Sequence, residues 1–277
     1  MFGRERIEYK TPEQIAVMRR AGLVVADIHA ALRAAVAPGT TTGELDAVAA
    51  DVLAGAGATS NFLGYHGYPA TVCISVNEVI VHGIPGDRVI QDGDVVSFDC
   101  GAVVEGWHGD AAFTTIVGEA ADERDRLLVD ITEEAMWAGI AALATGTHLG
   151  AVGDAVEDVV ERRGAETGVR LGIVEEYVGH GIGSAMHQPP EVLNYRTKDK
   201  GPRLRPGMAL AVEPMLTAGS PASEVLADDW TVVTLDGARA AHWEHTVALG
   251  RHGIWVLTAP DGGAARLAAL GVEVAPV

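Results

Sequence analysis

Basic side chains are scarce in this 277-residue chain: 20 Lys and Arg stand against 38 Asp and Glu, a formal net charge of −18. A nucleic-acid groove must replace the counterions of a phosphate backbone with its own cations, so this balance argues against one beyond a small patch near Arg203 and Arg205. Cysteine is nearly absent. Cys73 and Cys100 cannot form a disulfide framework in a chain this long, and a reducing cytoplasm is the expected compartment. Long apolar runs are missing too. None reaches the roughly 20 residues that span a bilayer, and Met1 to Glu8 holds no signal-like apolar stretch, so no membrane is expected. What remains is an ordinary globular composition, 48% hydrophobic and 21% charged, long enough for one large domain or two small ones.

Thr11-Pro12-Glu13-Gln14 reads as a helix start, with Thr as cap, Pro in the first turn and Gln placed to close a capping box. Ile15, Met18, Ala21, Val25, Ile28 and Leu32 then recur at three and four residues, predicting one buried face as far as Ala37-Pro38-Gly39. A second helix is expected from about 42 to 53, a third from 121 to 144 and a fourth from 150 to 163. Strand patterns cover 70–76, 95–99 and 113–117 in the first half, then 174–178, 209–212, 230–233, 240–249 and 253–257 in the second. Gly39 and Gly146, Asp51 and Asp158, and Gly57 and Gly164 share one offset of 107, which suggests two related halves.

Into this order are set five residues of metal-ligand type: Asp99, Asp110, His180, Glu213 and Glu244. Asp99 closes an apolar run and Asp110 opens another across a glycine-containing reach, which would bring two antiparallel strands back side by side. His180 lies in Gly179-His180-Gly181-Ile182-Gly183, where missing side chains allow close approach to the ring. Glu213 ends the apolar run 208–212, and Glu244 sits in another, where an unpaired charge would be costly. Taken singly, each has an ordinary structural explanation. Together, four carboxylates and one imidazole are the donor set for two hard-to-borderline divalent cations, and metal-activated water is their usual chemistry. Because both halves contribute, a short segment 1–11 followed by a single catalytic domain over 12–277 is expected. His82, in a turn-bounded segment, and His187, in a proline-stiffened loop seven residues after His180, suit groups that handle substrate.

At these positions the chain resembles the type I, bacterial methionine aminopeptidases. The likeness runs from about Thr11 to Leu257 through Tyr65-His66-Gly67-Tyr68-Pro69, Val72-Cys73-Ile74-Ser75-Val76-Asn77-Glu78, Val81-His82-Gly83-Ile84-Pro85, Phe98-Asp99-Cys100-Gly101, Val212-Glu213-Pro214-Met215 and Trp243-Glu244-His245-Thr246. The resemblance implies an α/β pita-bread fold of two pseudo-symmetric halves, with curved antiparallel sheet inside and helices outside. It also implies two divalent ions (Co, Mn, Fe or Zn), with Asp99 chelating one, Asp110 and Glu244 bridging, and His180 and Glu213 completing the shell. Glu213 would help move a proton, His187 would stabilise the tetrahedral intermediate, and His82 would contact the peptide beyond the scissile bond. Phe62, Tyr65, Tyr68, Cys73, Met186 and Trp230 would form the methionine pocket, their soft, flat walls suiting a thioether. Two positions depart from the family: Met186 replaces a frequent aromatic, and Phe62 stands where some relatives carry a small thiol.

The implied activity is removal of initiator methionine from nascent polypeptides, preferring a small second residue, by a cytoplasmic monomer in transient contact with the ribosome. Two rivals share the fold. A prolidase or aminopeptidase P would keep the five ligands but usually carries a large N-terminal domain and lacks the Tyr-His-Gly-Tyr-Pro and Cys-Ile-Ser runs. A non-catalytic pita-bread binding protein typically loses ligands, and none is lost here. The 33 residues from His180 to Glu213 are too few for the helical insertion of type II relatives.

Overall fold

A computed structural model describes residues 6–277; the rest of the short N-terminal segment, residues 1–5, lies outside the described residues. Helix α1, Pro12–Ala35, starts on the expected capping box: Thr11 accepts from the Gln14 N–H, and the Gln14 side chain accepts from the Thr11 N–H. Helix α2, Thr42–Ala56, repeats the device with Thr41 and Glu44 and stops at Gly57, whose φ of 64° is the left-handed conformation that glycine adopts without penalty. Helices α3, Glu123–Thr145, and α4, Ala151–Thr167, form the second pair. The offset of 107 aligns the helix pairs but not their ends. Gly164 lies inside α4, which runs on to Gly168.

Each helix pair covers its own sheet. Val25, Ile28, Leu32 and Leu45 of the first pair pack on Phe98 and Phe113. Ile131, Ile140, Val152 and Val156 of the second pack on Leu210, Val212 and Val247. The first sheet is built on the hairpin Val95–Val104 and Trp107–Ile116, flanked by Cys73–Val76 and Thr59–Ser60. The reach between Asp99 and Asp110 is therefore strand almost throughout. Its turn is only Glu105-Gly106, both at positive φ (49° and 79°), as a two-residue hairpin turn demands. The second half centres on five antiparallel strands in the order Ile254–Val256, His245–Leu249, Ala209–Val212, Gly179–Gly181, Gln188–Val192.

Three expected strands are corrected. Residues 174–178 form none, because exposed Glu175 and Glu176 take the chain outward between the short strands Gly172–Ile173 and Gly179–Gly181. The run 240–249 divides into Ala240–His242 and His245–Leu249, which belong to different sheets. The first strand shortens to Cys73–Val76.

The division at Trp243-Glu244 makes the seam between the halves. Ala112 and Glu244 exchange backbone hydrogen bonds of 3.2 and 2.9 Å. On one side Thr246 Oγ1 donates to the Asp110 carbonyl (2.8 Å) and accepts from its N–H (3.1 Å). On the other, Thr114 Oγ1 does the same for His242, at 2.7 and 2.9 Å. Asp110 thus faces Thr246, Ala112 faces Glu244 and Thr114 faces His242, an antiparallel register built half from backbone and half from threonine hydroxyls. Helices outside and antiparallel sheets inside, in two matching halves, make this the pita-bread fold.

Candidate metal centre

The hairpin register sets Asp99 opposite Ala112 and Asp110 opposite Gly101, so the two carboxylates are diagonal neighbours on one face. The seam adds Glu244 beside them, strand Gly179–Gly181 carries His180 at its centre, and Glu213 follows directly on strand Ala209–Val212. Asn194, itself fully buried, donates to the Glu213 carbonyl at 3.1 Å and holds that strand end. All thirteen residues singled out from the sequence line one cavity of about 150 Å³. Phe62, Tyr68, Cys73 and Met186 are buried together at one end of it, with Tyr65 and Trp230 packed against them.

Four carboxylates in a buried space repel one another, and water cannot compensate. Burial pushes Asp99 up to about 7 and Glu213 up to about 8. Burial, then the charges of their neighbours, raises Asp110 and Glu244 well above the usual carboxylate range. Burial also drives His180 down to about 3, so its ring is neutral. His180 Nδ1 lies 3.0 Å from the Gly181 carbonyl, which can only accept; the proton is therefore on Nδ1, and Nε2 presents a lone pair. That lone pair lies 3.3 Å from Glu213 Oε1, so both atoms turn toward the same space. Asp99 Oδ1, Asp110 Oδ1, Glu244 Oε1 and His242 Nε2 are buried without any hydrogen-bond partner. Unpartnered oxygen and nitrogen atoms converging on one space fit divalent cations, which would supply the missing positive charge.

The substrate-type histidines flank this centre. His187 Nδ1 is 2.9 Å from Tyr65 Oη, and its ring packs edge-on to His180 at 4.3 Å. His82 has φ of 60°, unusual for a residue other than glycine, and stands edge-on to Tyr177 and Trp230. Burial lowers both imidazoles, His82 to about 4.

Several site residues escaped the sequence reading. His242, Tyr177, Val81, Val178 and Met215 also line the cavity. His242 had a legible signal, since it precedes Glu244 by two residues, the spacing that keeps side chains on one strand face. The loop carrying Met186 and His187 is held from the N-terminal segment. Glu8 accepts from Ser184 Oγ (2.6 Å) and its N–H (3.1 Å), and buried Lys10 reaches Gln188 at 3.3 Å. Nothing in the spacing of residues 8–10 announces this strap.

A buried cluster of carboxylates and imidazoles beside an apolar pocket, in this fold, defines a metallopeptidase. The model of metallopeptidase family M24 matches residues 16–251, and the chain belongs to that family. Methionine aminopeptidase 1 of Mycobacterium tuberculosis is 48% identical over 257 residues, spanning 92% of this chain and 96% of that protein. Methionine aminopeptidase 1 of Bacillus subtilis is 44% identical over 249 residues, spanning 90% and 98%. The crystal structure of a Thermotoga maritima methionine aminopeptidase superposes with a TM-score of 0.86 at 40% identity, covering 91% of this chain and 99% of that one. Prolidase from Pyrococcus furiosus shares the fold at a TM-score of 0.69 and 19% identity, but this chain covers only 65% of it. Among the pita-bread peptidases, the chain is of the type I, bacterial methionine aminopeptidase kind.

Proposed function

We propose that this chain removes N-terminal methionine from nascent polypeptides by hydrolysis at a centre of two divalent cations, with a small second residue preferred. The observation that carries the reading is a single cavity joining the buried ligand cluster to the enclosed pocket of Phe62, Tyr65, Tyr68, Cys73, Met186 and Trp230. Asp99, Asp110, His180, Glu213 and Glu244 would hold the ions, which when bound polarise a carbonyl and make water ionise near neutral pH. The chain's own groups do the rest. The pocket takes the thioether side chain, where sulfur meets aromatic edges and the Met186 side chain adapts to it. Glu213 relays the proton from the attacking water toward the leaving amine. With Tyr65 Oη donating to His187 Nδ1, the proton of His187 resides on Nε2, available to the developing oxyanion. His82, neutral through burial, hydrogen-bonds the peptide beyond the scissile bond and crowds the second residue.

One catalytic unit over 12–277 accounts for ligands drawn from both halves across the seam. We place it in the cytoplasm as a monomer that meets its substrates at the ribosome; free, buried Cys73 and Cys100 fit a reducing compartment. No described helix is long and apolar enough to cross a membrane. The test is hydrolysis by metal-stripped protein restored with cobalt or manganese. Met-Ala-Ser should be cut only after restoration, and Ala-Pro peptides hardly at all. Preference for Ala-Pro would move the chain to the prolidase reading, and inertness toward both with every metal would leave a binding protein.

A further inference from the structure

Four orphaned polar atoms face the ligand space, and one of them belongs to a residue outside the expected set. We propose that His242 is itself a metal ligand, its Nε2 binding the ion shared by Glu213 and Glu244. The proposal rests on the dinuclear reading above. Ligand atoms of Asp110, His180 and Glu244 lie within 4.8 Å of one another, and so do those of Glu213, His242 and Glu244. These are two triads, each of two carboxylates and one imidazole, meeting at Glu244.

The side chain is built into place. His242 is only 2% exposed, and Thr114 clasps its backbone through both N–H and carbonyl. Its Nε2 lies 3.5 Å from Glu213 Oε2 and forms no hydrogen bond there, while the other Glu213 oxygen sits 3.3 Å from His180 Nε2. Glu213 is thus flanked by two imidazole nitrogens, and only His180 was expected to ligate. A buried nitrogen left without a partner is costly, whereas a ligand nitrogen at that position is satisfied. One imidazole per ion makes both halves of the centre borderline in character. Such a donor set favours Zn, Fe and Co over Mn more strongly than a carboxylate-only ion would.

The experiment uses zinc as the probe. Metal-free protein is loaded with two equivalents, and the imidazoles per zinc are counted from outer-shell scattering in X-ray absorption; zinc and manganese affinities are measured by calorimetry. The wild-type centre should average one imidazole per zinc, and His242→Gln one per two zincs. The variant should also lose about tenfold or more in zinc affinity, the scale on which altered ligand shells weaken zinc sites, with manganese affected less. A wild-type average of one imidazole per two zincs overturns the assignment without any variant. So does an unchanged count in His242→Gln, which would place the second imidazole on another residue. Binding of fewer than two zincs per chain would remove the dinuclear reading and this proposal with it.

Discussion

At the scale of single residues, what each buried group lacks decides its part in the site. Asp110 Oδ1 and Glu244 Oε1 have no protein partner, so in their ionised form only a cation would offset their burial. Asp110→Asn should keep the far-ultraviolet circular dichroism of the parent yet lose about 10²-fold or more in turnover at saturating metal, because a neutral amide cannot bridge two cations and several kcal/mol of catalysis depends on them. Near-parental turnover would remove Asp110 from the centre. His187 is a different kind of residue. It lines the cavity with Nδ1 engaged by Tyr65 Oη, so His187→Ala should lower kcat by about 10²–10³ while bound metal stays constant. Metal content falling in step with kcat would make His187 a ligand or a prop. The five candidate ligands that the fold gathers at the cavity were legible because metal ligation asks for specific residue types, and these stand out when set in apolar runs. His242 offered only its two-residue spacing from Glu244, which a histidine in a strand shares with many ordinary uses, and only the fold shows its nitrogen to be orphaned.

At the scale of elements, local chemistry was easy to read and long-range pairing was not. The capping box at Thr11, the amphipathic face of α1 and the apolar runs that lead to Asp99 and Glu213 are written in neighbouring residues. The run 240–249 reads as one strand because every residue from 246 to 249 is apolar or β-branched. Its break at Trp243-Glu244 is imposed by pairing with Ala112, more than a hundred residues away, which no period in the sequence records. Residues 8–10 strap the His187 loop by the same kind of distant contact. The seam can be tested through Thr246. Thr246→Val is nearly isosteric but leaves the Asp110 N–H and carbonyl buried without their partner, a cost of about 1–3 kcal/mol. Chemical denaturation should show that loss, with weaker metal retention, since Asp110 rides on the same backbone. Unchanged stability would mean that the threonine clasp adds nothing to joining the halves.

At the scale of the molecule, burial of the ligand cluster couples folding, protons and metal. Asp99 and Glu213 hold protons in the folded, metal-free protein that they release when unfolded, since their values are raised to about 7 and 8. Their stabilisation is complete below the ordinary carboxylate range and is lost as pH rises through those values. The buried imidazoles His29, His180, His82 and His245, lowered to between about 3 and 4, act in the opposite sense, but only as pH falls below their ordinary value near 6.5. Between about pH 6.5 and 8 the carboxylates therefore decide the slope. The melting temperature of metal-free protein should fall across that window, and excess zinc should flatten or reverse the trend, because ligation requires the deprotonated carboxylates. Identical slopes with and without zinc would dissociate the cluster from metal. Selectivity for methionine is read out by competition among tripeptides. An enclosed apolar pocket discriminates a missing methylene or a branch by about 1–3 kcal/mol, roughly 10–200-fold in kcat/KM. With Ala in second position, the account predicts Met far ahead of Leu at the first position, with norleucine accepted; with Met first, Ala and Gly should be cut and Lys or Trp hardly at all. Equal kcat/KM for Leu and Met, or rapid cleavage before Lys, would contradict the assignment.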